Sequence, residues 1–201
     1  MVMRKSGGGN GCLACGAVAR LACGTATRSR QAHQRQTQRV SHPLEPLFDG
    51  RSQVLVLGTM PSPASREVGF YYGHPQNRFW RVLAELFGAP VPATNEERAA
   101  LALSHGIALW DVLASCEIEG ASDASIKNAQ PNDLSRVLDA APIRAVFTTG
   151  AKAAALYRRF DAPLFPDLPH TALPSTSPAN ARMRLPELVE AYRPLKEAAE
   201  S

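Results

Sequence analysis

No Asp or Glu occurs in the first forty residues, although they carry seven Lys or Arg. That absence locates the formal net charge of +4, because residues 41–201 hold 15 basic against 18 acidic residues. The basic character therefore belongs to the leading segment and says little about the folded body. An acid-free basic arm attracts phosphate without sequence preference, and its composition is that of a disordered extension. No run of about 18 apolar residues exists, so no membrane span is expected. Cysteine is scarce, and three of the four (Cys12, Cys15, Cys23) lie in the basic segment. A four-ligand site built on those three would need Cys116 or a His as the fourth. The Gly/Ala-rich surroundings supply no turn framework, so no metal is expected. Arg4-Lys5 ahead of "CLACGAVARLAC" has the outline of a targeting peptide, but Arg20 interrupts the apolar run and no clean cleavage signal follows. The expected compartment is the cytoplasm, where free cysteines are normal. The expected division is a basic extension over 1–41 and one domain over 42–201.

Several catalytic signatures are also missing. A dinucleotide turn needs Gly-x-Gly-x-x-Gly straight after the first strand. Here Gly58 is followed by Thr-Met-Pro-Ser-Pro, and Pro61 and Pro63 remove amide donors that a pyrophosphate cradle would use. No P-loop and no Gly-x-Ser-x-Gly elbow occur. His74, His105 and His170 are not spaced as a metal set.

What is present is a regular alternation. "QVLVLG" (53–58) is a short apolar run ending in Gly, which reads as a buried parallel strand. "IALWDVL" (107–113), "IRAVFTTG" (143–150) and "HTALPS" (170–175) read as three more. Helical spacing marks Asn77–Phe87, closed by Gly88. Thr94 opens a capping box with Glu97, and further helices are expected from near Asn132 and over 151–160. Ser177-Pro178 reads as a cap with Pro at the first helical position. Leu185–Ala199 reads as a helix that Pro194 must kink or split. Strand–helix units repeated in this way predict a three-layer α/β fold, a central four-stranded parallel sheet flanked by helices. Ligands of such sheets bind beyond the carboxyl ends of the strands.

The segment "GTMPSPASREVGFYYGHPQNRFW" (58–80) leaves the first strand. It is long for a connector. Phe70, Tyr71 and Tyr72 can supply a flat face for a base. Asn77 offers a carboxamide, at once donor and acceptor. Ser62, Ser65, Ser175, Thr176 and Ser177 are short hydroxyls in loops, suited to phosphate oxygens. Phe79 and Trp80 start the periodic helix face and read as core. His74, ahead of Pro75, fits a structural role as well as a DNA-facing one.

Three separated stretches then carry a family resemblance: "VLGTMPSPASREVGFYYGHPQNRFW", "IALWDVLASCEIEGASDASI" and "LPSTSPANAR". Together they resemble the uracil-DNA glycosylase superfamily, most closely its hypoxanthine-DNA (deoxyinosine) glycosylase branch. The match spans roughly Gln53 to Arg193. "HPQNRFW" is also similar to mismatch-specific uracil/thymine glycosylases. The resemblance implies base excision from double- or single-stranded DNA carrying a deaminated base, by a monomer, with no metal and no cofactor. It implies that Gly58, Thr59, Met60, Pro61 and Ser62 line the base pocket with the Phe70–Tyr72 aromatics, Tyr71 or Tyr72 stacking on the base. It implies that Asn77 orients the attacking water. Ser65, His74, Ser175, Thr176, Ser177, Asn180 and Arg182 are the implied DNA contacts. Met60 departs from the pattern, since many members carry Asn or Asp there and a thioether cannot orient water. The last motif, Leu173–Asn180, also lacks a His. Asp111 and Asp123 recur in the family pattern and read as mainly structural. A uracil or thymine mismatch glycosylase, and a non-catalytic nucleic-acid-binding module, are the alternatives.

Overall fold

A computed structural model describes residues 37–120 and 122–201. The basic extension up to residue 36, with Cys12, Cys15 and Cys23, lies outside the described residues. In chain order the elements are β1 (Thr37–Ser41), β2 (Val54–Gly58), α1 (Pro63–Val68), α2 (Phe79–Phe87), α3 (Asn95–Ser104), β3 (Ile107–Asp111) and β4 (Leu113–Glu119). After a 3-10 turn at Asp123–Ser125 follow β5 (Lys127–Pro131), α4 (Ser135–Leu138), β6 (Ala145–Thr149), α5 (Ala151–Phe160), β7 (His170–Leu173), α6 (Leu185–Ala191) and α7 (Arg193–Glu200).

The central sheet has the order β3-β2-β6-β7, all parallel. Every residue of β2 and β3 is buried, which is why both read as unbroken apolar runs rather than alternating ones. Helices flank this sheet. α2 turns Phe79, Trp80, Val82 and Leu83 inward and ends on Gly88 in the left-handed conformation. α3 starts on the Thr94–Glu97 capping box. The C-terminal helix is split as Pro194 requires, with Tyr192 between α6 and α7.

Four features differ from the sequence reading. The stretch after β2 is not all loop: Ser62 caps α1 through a bond from the Ser65 amide, and Pro63 occupies the first turn. Ser177-Pro178 opens no helix; it forms a turn closed by Asn180 N–H to the Ser177 carbonyl at 3.0 Å. The stretch 107–113 is two strands, since β3 ends at Asp111 and Leu113 starts β4. β4 is the middle strand of a second, antiparallel sheet, β1-β4-β5. Residues Thr37–Ser41 pair along β4, so the paired strands begin before residue 42.

Candidate active site

Parallel neighbours end together, so chemistry collects where the strands stop. Gly58 is the register partner of Asp111, and Thr149 closes β6 on the other side of β2. These three face a cleft of about 860 Å³. Its floor is polar and buried, with Thr59, Asp111 and Thr149 all below one-tenth exposed. One wall is Met60–Ser62, the opposite rim the loop Ser175–Arg182. Tyr72 lines the cleft with its backbone in the left-handed region (φ 52°), unusual for a bulky residue. Its ring stacks on Phe79 at 3.7 Å between centroids, and its hydroxyl lies 3.1 Å from Thr149 Oγ1.

Asn77 stands between the aromatic segment and the rim. Its Oδ1 accepts from Phe79 N–H at 3.0 Å and from Thr176 Oγ1–H at 2.8 Å. A backbone N–H can only donate, so the amide orientation is fixed: oxygen toward α2, nitrogen away. Both lone pairs of Oδ1 are used. Nδ2 donates no hydrogen bond to the described residues and is not sealed from solvent, while Asn77 lines the cleft. The group offered there is therefore a donor.

Arg78, next in the chain, grips the rim from behind. Its backbone N–H and Nε both donate to the Thr176 carbonyl, at 3.1 and 3.3 Å. Its guanidinium also reaches the carbonyls of Ser177 and Asn180, each at 2.9 Å, and that of Met183. Hydrogen bonds from a charged donor contribute about 1.5–3 kcal/mol each, so the loop's shape depends heavily on this one side chain. The loop adds its own braces, Asn180 Nδ2 to the Ser175 carbonyl and the Ser177 amide to Ser175 Oγ. Gly150 permits the packing: its φ is +95°, and a Cβ there would lie 3.2 Å from that of Ser175.

Asp111 is buried and meets His42 Nε2 at 2.8 Å through Oδ2. His42 Nδ1 accepts from the Leu44 N–H at 3.2 Å, so the ring proton sits on Nε2 and is donated to the carboxylate. Burial pushes the Asp111 carboxyl above its ordinary range, the His42 bond opposes this, and the nearby Asp123 adds to the rise. Gly58 makes the approach possible, since a Cβ there would fall 2.2 Å from Asp111 Oδ1. Asp123 accepts from Thr59 Oγ1 at 3.2 Å and is likewise raised by burial.

The structure brings together most of the residues singled out in the sequence. Gly58, Thr59, Met60, Pro61, Ser62, Ser65, Tyr71, Tyr72, His74, Asn77, Ser175, Thr176, Ser177, Asn180 and Arg182 all border the cleft. Several stand in other roles than those expected. Phe70 is turned away, its ring 5.9 Å from that of Trp80. Tyr71 is buried, its hydroxyl donating to the Glu45 carbonyl at 2.7 Å, so it offers no free face. Ser65 is buried, accepting from the Gly73 amide, so it is no surface phosphate contact. Thr176 is buried and spends its hydroxyl on Asn77. Sequence reasoning missed Arg78 and His42. No spacing signal could find them, because their partners lie about a hundred and 69 positions away.

The chain matches the uracil DNA glycosylase superfamily over residues 45–196. It is 36% identical over 110 residues to a hypoxanthine DNA glycosylase of Methanosarcina barkeri, covering 54% of this chain and 70% of that protein. It is 32% identical over 140 residues to a hypoxanthine DNA glycosylase of Methanosarcina acetivorans, covering 68% of this chain and 85% of that protein. The solution NMR structure of a uracil DNA glycosylase candidate from Methanosarcina acetivorans superposes with a TM-score of 0.69 at 26% identity, covering 82% of this chain and all of that one. The chain thus belongs to the uracil DNA glycosylase superfamily, on its hypoxanthine DNA glycosylase branch.

Proposed function

We propose that this chain is a monofunctional DNA glycosylase that excises hypoxanthine from deoxyinosine and leaves an abasic site. The target nucleotide swings out of the duplex into the cleft, its base reaching the floor and its phosphates meeting the Ser175–Arg182 rim. Tyr72, one face covered by Phe79, is the residue assigned to stack on the base. The observation that carries the reading is the clamped carboxamide of Asn77 in the cleft of this superfamily fold.

The chemistry follows from which atoms Asn77 leaves free. The bond from the sugar's anomeric carbon to the base breaks with its electron pair leaving on the base. A water oxygen then bonds to that carbon and gives up a proton to solvent, while the departed base, carrying the electron pair, takes one up, leaving neutral base and a sugar hydroxyl. Asn77 Nδ2–H can hold the water by donating to one lone pair, the other pointing at the sugar. An amide takes no proton, so the step is largely dissociative and Asn77 positions rather than deprotonates. Oriented groups of this kind contribute roughly 10²–10³ in rate. Met60, in the wall, has no comparable donor.

The proposed enzyme acts as a monomer and works in the cytoplasm. Among the described residues no helix is long and apolar enough to cross a membrane. The test is an oligonucleotide panel carrying one deoxyinosine, deoxyuridine or deoxyxanthosine, incubated with protein and then treated with alkali. Strand cleavage led by deoxyinosine is the expected result. Cleavage led by deoxyuridine would make it a uracil enzyme, and binding without cleavage a non-catalytic module.

A further inference from the structure

Arg66 is a cation of the cleft that the reading above leaves without a task. It stands in the last turn of α1, which continues the wall of Met60–Ser62, and it lines the cleft. Its Nε is sealed from solvent and has no acceptor. Its terminal nitrogens donate no hydrogen bond to the described residues and are not sealed. Among the described residues none of the ion pairs includes it. Burial pushes the Cys116 thiol of β4 up and Arg66 opposes the rise. That puts its charge beside the antiparallel sheet, whose Val40 and Ile118 also line the cleft. A buried donor without an acceptor costs free energy, the more so when charged. Arg98 Nε is orphaned too, but its Nη1 is held by Asn95 and it does not border the cleft. Arg66 therefore awaits an acceptor that the described chain does not supply.

A nucleotide turned out of a duplex stays tethered by two phosphodiesters, one on each side of its sugar. Drawing the sugar into the cleft brings both to the mouth. The rim of Ser175–Arg182 stands on one side and can meet only one of them. On the wall across from it, Ser62 and Ser65 are spent on the start of α1 and on each other, so Arg66 is the donor left. We infer that Arg66 binds the second of the two phosphates flanking the flipped nucleotide, opposite the one met at the rim. This rests on the glycosylase reading above. A guanidinium suits the task, since its planar fork matches two phosphate oxygens at once. The contact holds the extruded sugar from a second side. It acts on binding of the flipped state and leaves the bond-breaking step to the groups at the cleft floor.

Duplexes carrying 2′-fluoro-2′-deoxyinosine, whose glycosidic bond resists cleavage, separate binding from chemistry. Arg66→Gln keeps most of the stem and removes the charge. It should bind such a duplex roughly tenfold more weakly, with the slope of log affinity against log salt lowered by up to about 0.9. Arg66→Lys should recover the slope but not the full affinity, because an ammonium lacks the fork. Wild-type protein supplies a readout independent of whether the variants fold. The phosphate on the 5′ or the 3′ side of the inosine is replaced in turn by an uncharged methylphosphonate, and each replacement should weaken wild-type binding. Arg66→Gln should add no further loss on only one of those two strands. Wild-type binding indifferent to either phosphate, or an Arg66→Gln loss of the same size on every strand, overturns the inference. So does unchanged affinity and slope with slower excision of deoxyinosine, which would put the guanidinium on the departing base. None of these outcomes touches the glycosylase reading, which fails if wild-type protein cleaves no oligonucleotide.

Discussion

Buried carboxyls give this molecule its most direct pH signatures. Asp111, facing His42, Tyr71, Tyr72 and Asp123, has its carboxyl raised by burial, with the His42 bond opposing the rise. Asp161 shows the same physics away from the cleft. It is 2% exposed, its Oδ2 has no partner, and burial pushes its carboxyl up to about 7. An acid raised on folding costs nothing below its unfolded value; stability is then lost as pH rises through the folded one. Asp161→Asn should match the wild type near pH 4 and melt at a higher temperature at pH 8. Equal melting temperatures at pH 8 would mean the buried charge is compensated.

At the scale of elements, the segment Asn77–Trp80 works as a bolt between α2 and the rim loop. Asn77 is tied to Thr176, and Arg78 to carbonyls at 176, 177, 180 and 183. Arg78→Ala should loosen the rim, weakening DNA binding and slowing excision together. Arg78→Lys should not rescue, because an ammonium cannot span a fork of carbonyls. Binding isotherms and single-turnover rates on the two variants decide it; full rescue by Lys would reduce the role to charge. The centre of the parallel sheet is legible in the sequence because β2 and β3, buried throughout, are continuous apolar runs ending in Gly58 and Asp111; β7, mostly exposed, follows only from the strand–helix alternation. The antiparallel sheet is not legible. β5 reads Lys-Asn-Ala-Gln-Pro, mostly exposed, and its pairing to β4 is broken by register shifts. α1 is hidden by Pro and Ser, although its Ser62-Pro63 start is the same signal that misleads at Ser177-Pro178, where the chain turns instead. The cleft's residue types are legible by resemblance, but their division of labour is not. Whether a Thr hydroxyl meets phosphate or Asn77 depends on tertiary partners a hundred residues away.

For the whole molecule, the cleft has a buried polar floor and a partly exposed rim, the order a flipped base followed by its phosphates would require. Arg182 is exposed at that rim. Arg182→Ala should weaken DNA binding and lower the slope of log affinity against log salt by up to about 0.9, the value for one phosphate contact. An unchanged slope would place Arg182 outside the DNA path. The central claim is that an asparagine clamped through its oxygen positions the water that completes excision. Single-turnover excision of an inosine duplex by wild type and Asn77→Ala, with thermal melting of both, tests it most directly. The prediction is a loss of roughly 10²–10³ in rate with DNA binding retained and at most about 1–2 kcal/mol of stability lost with the cap. Near-native excision by a destabilised Asn77→Ala would contradict the account, leaving Asn77 as no more than the residue that starts α2.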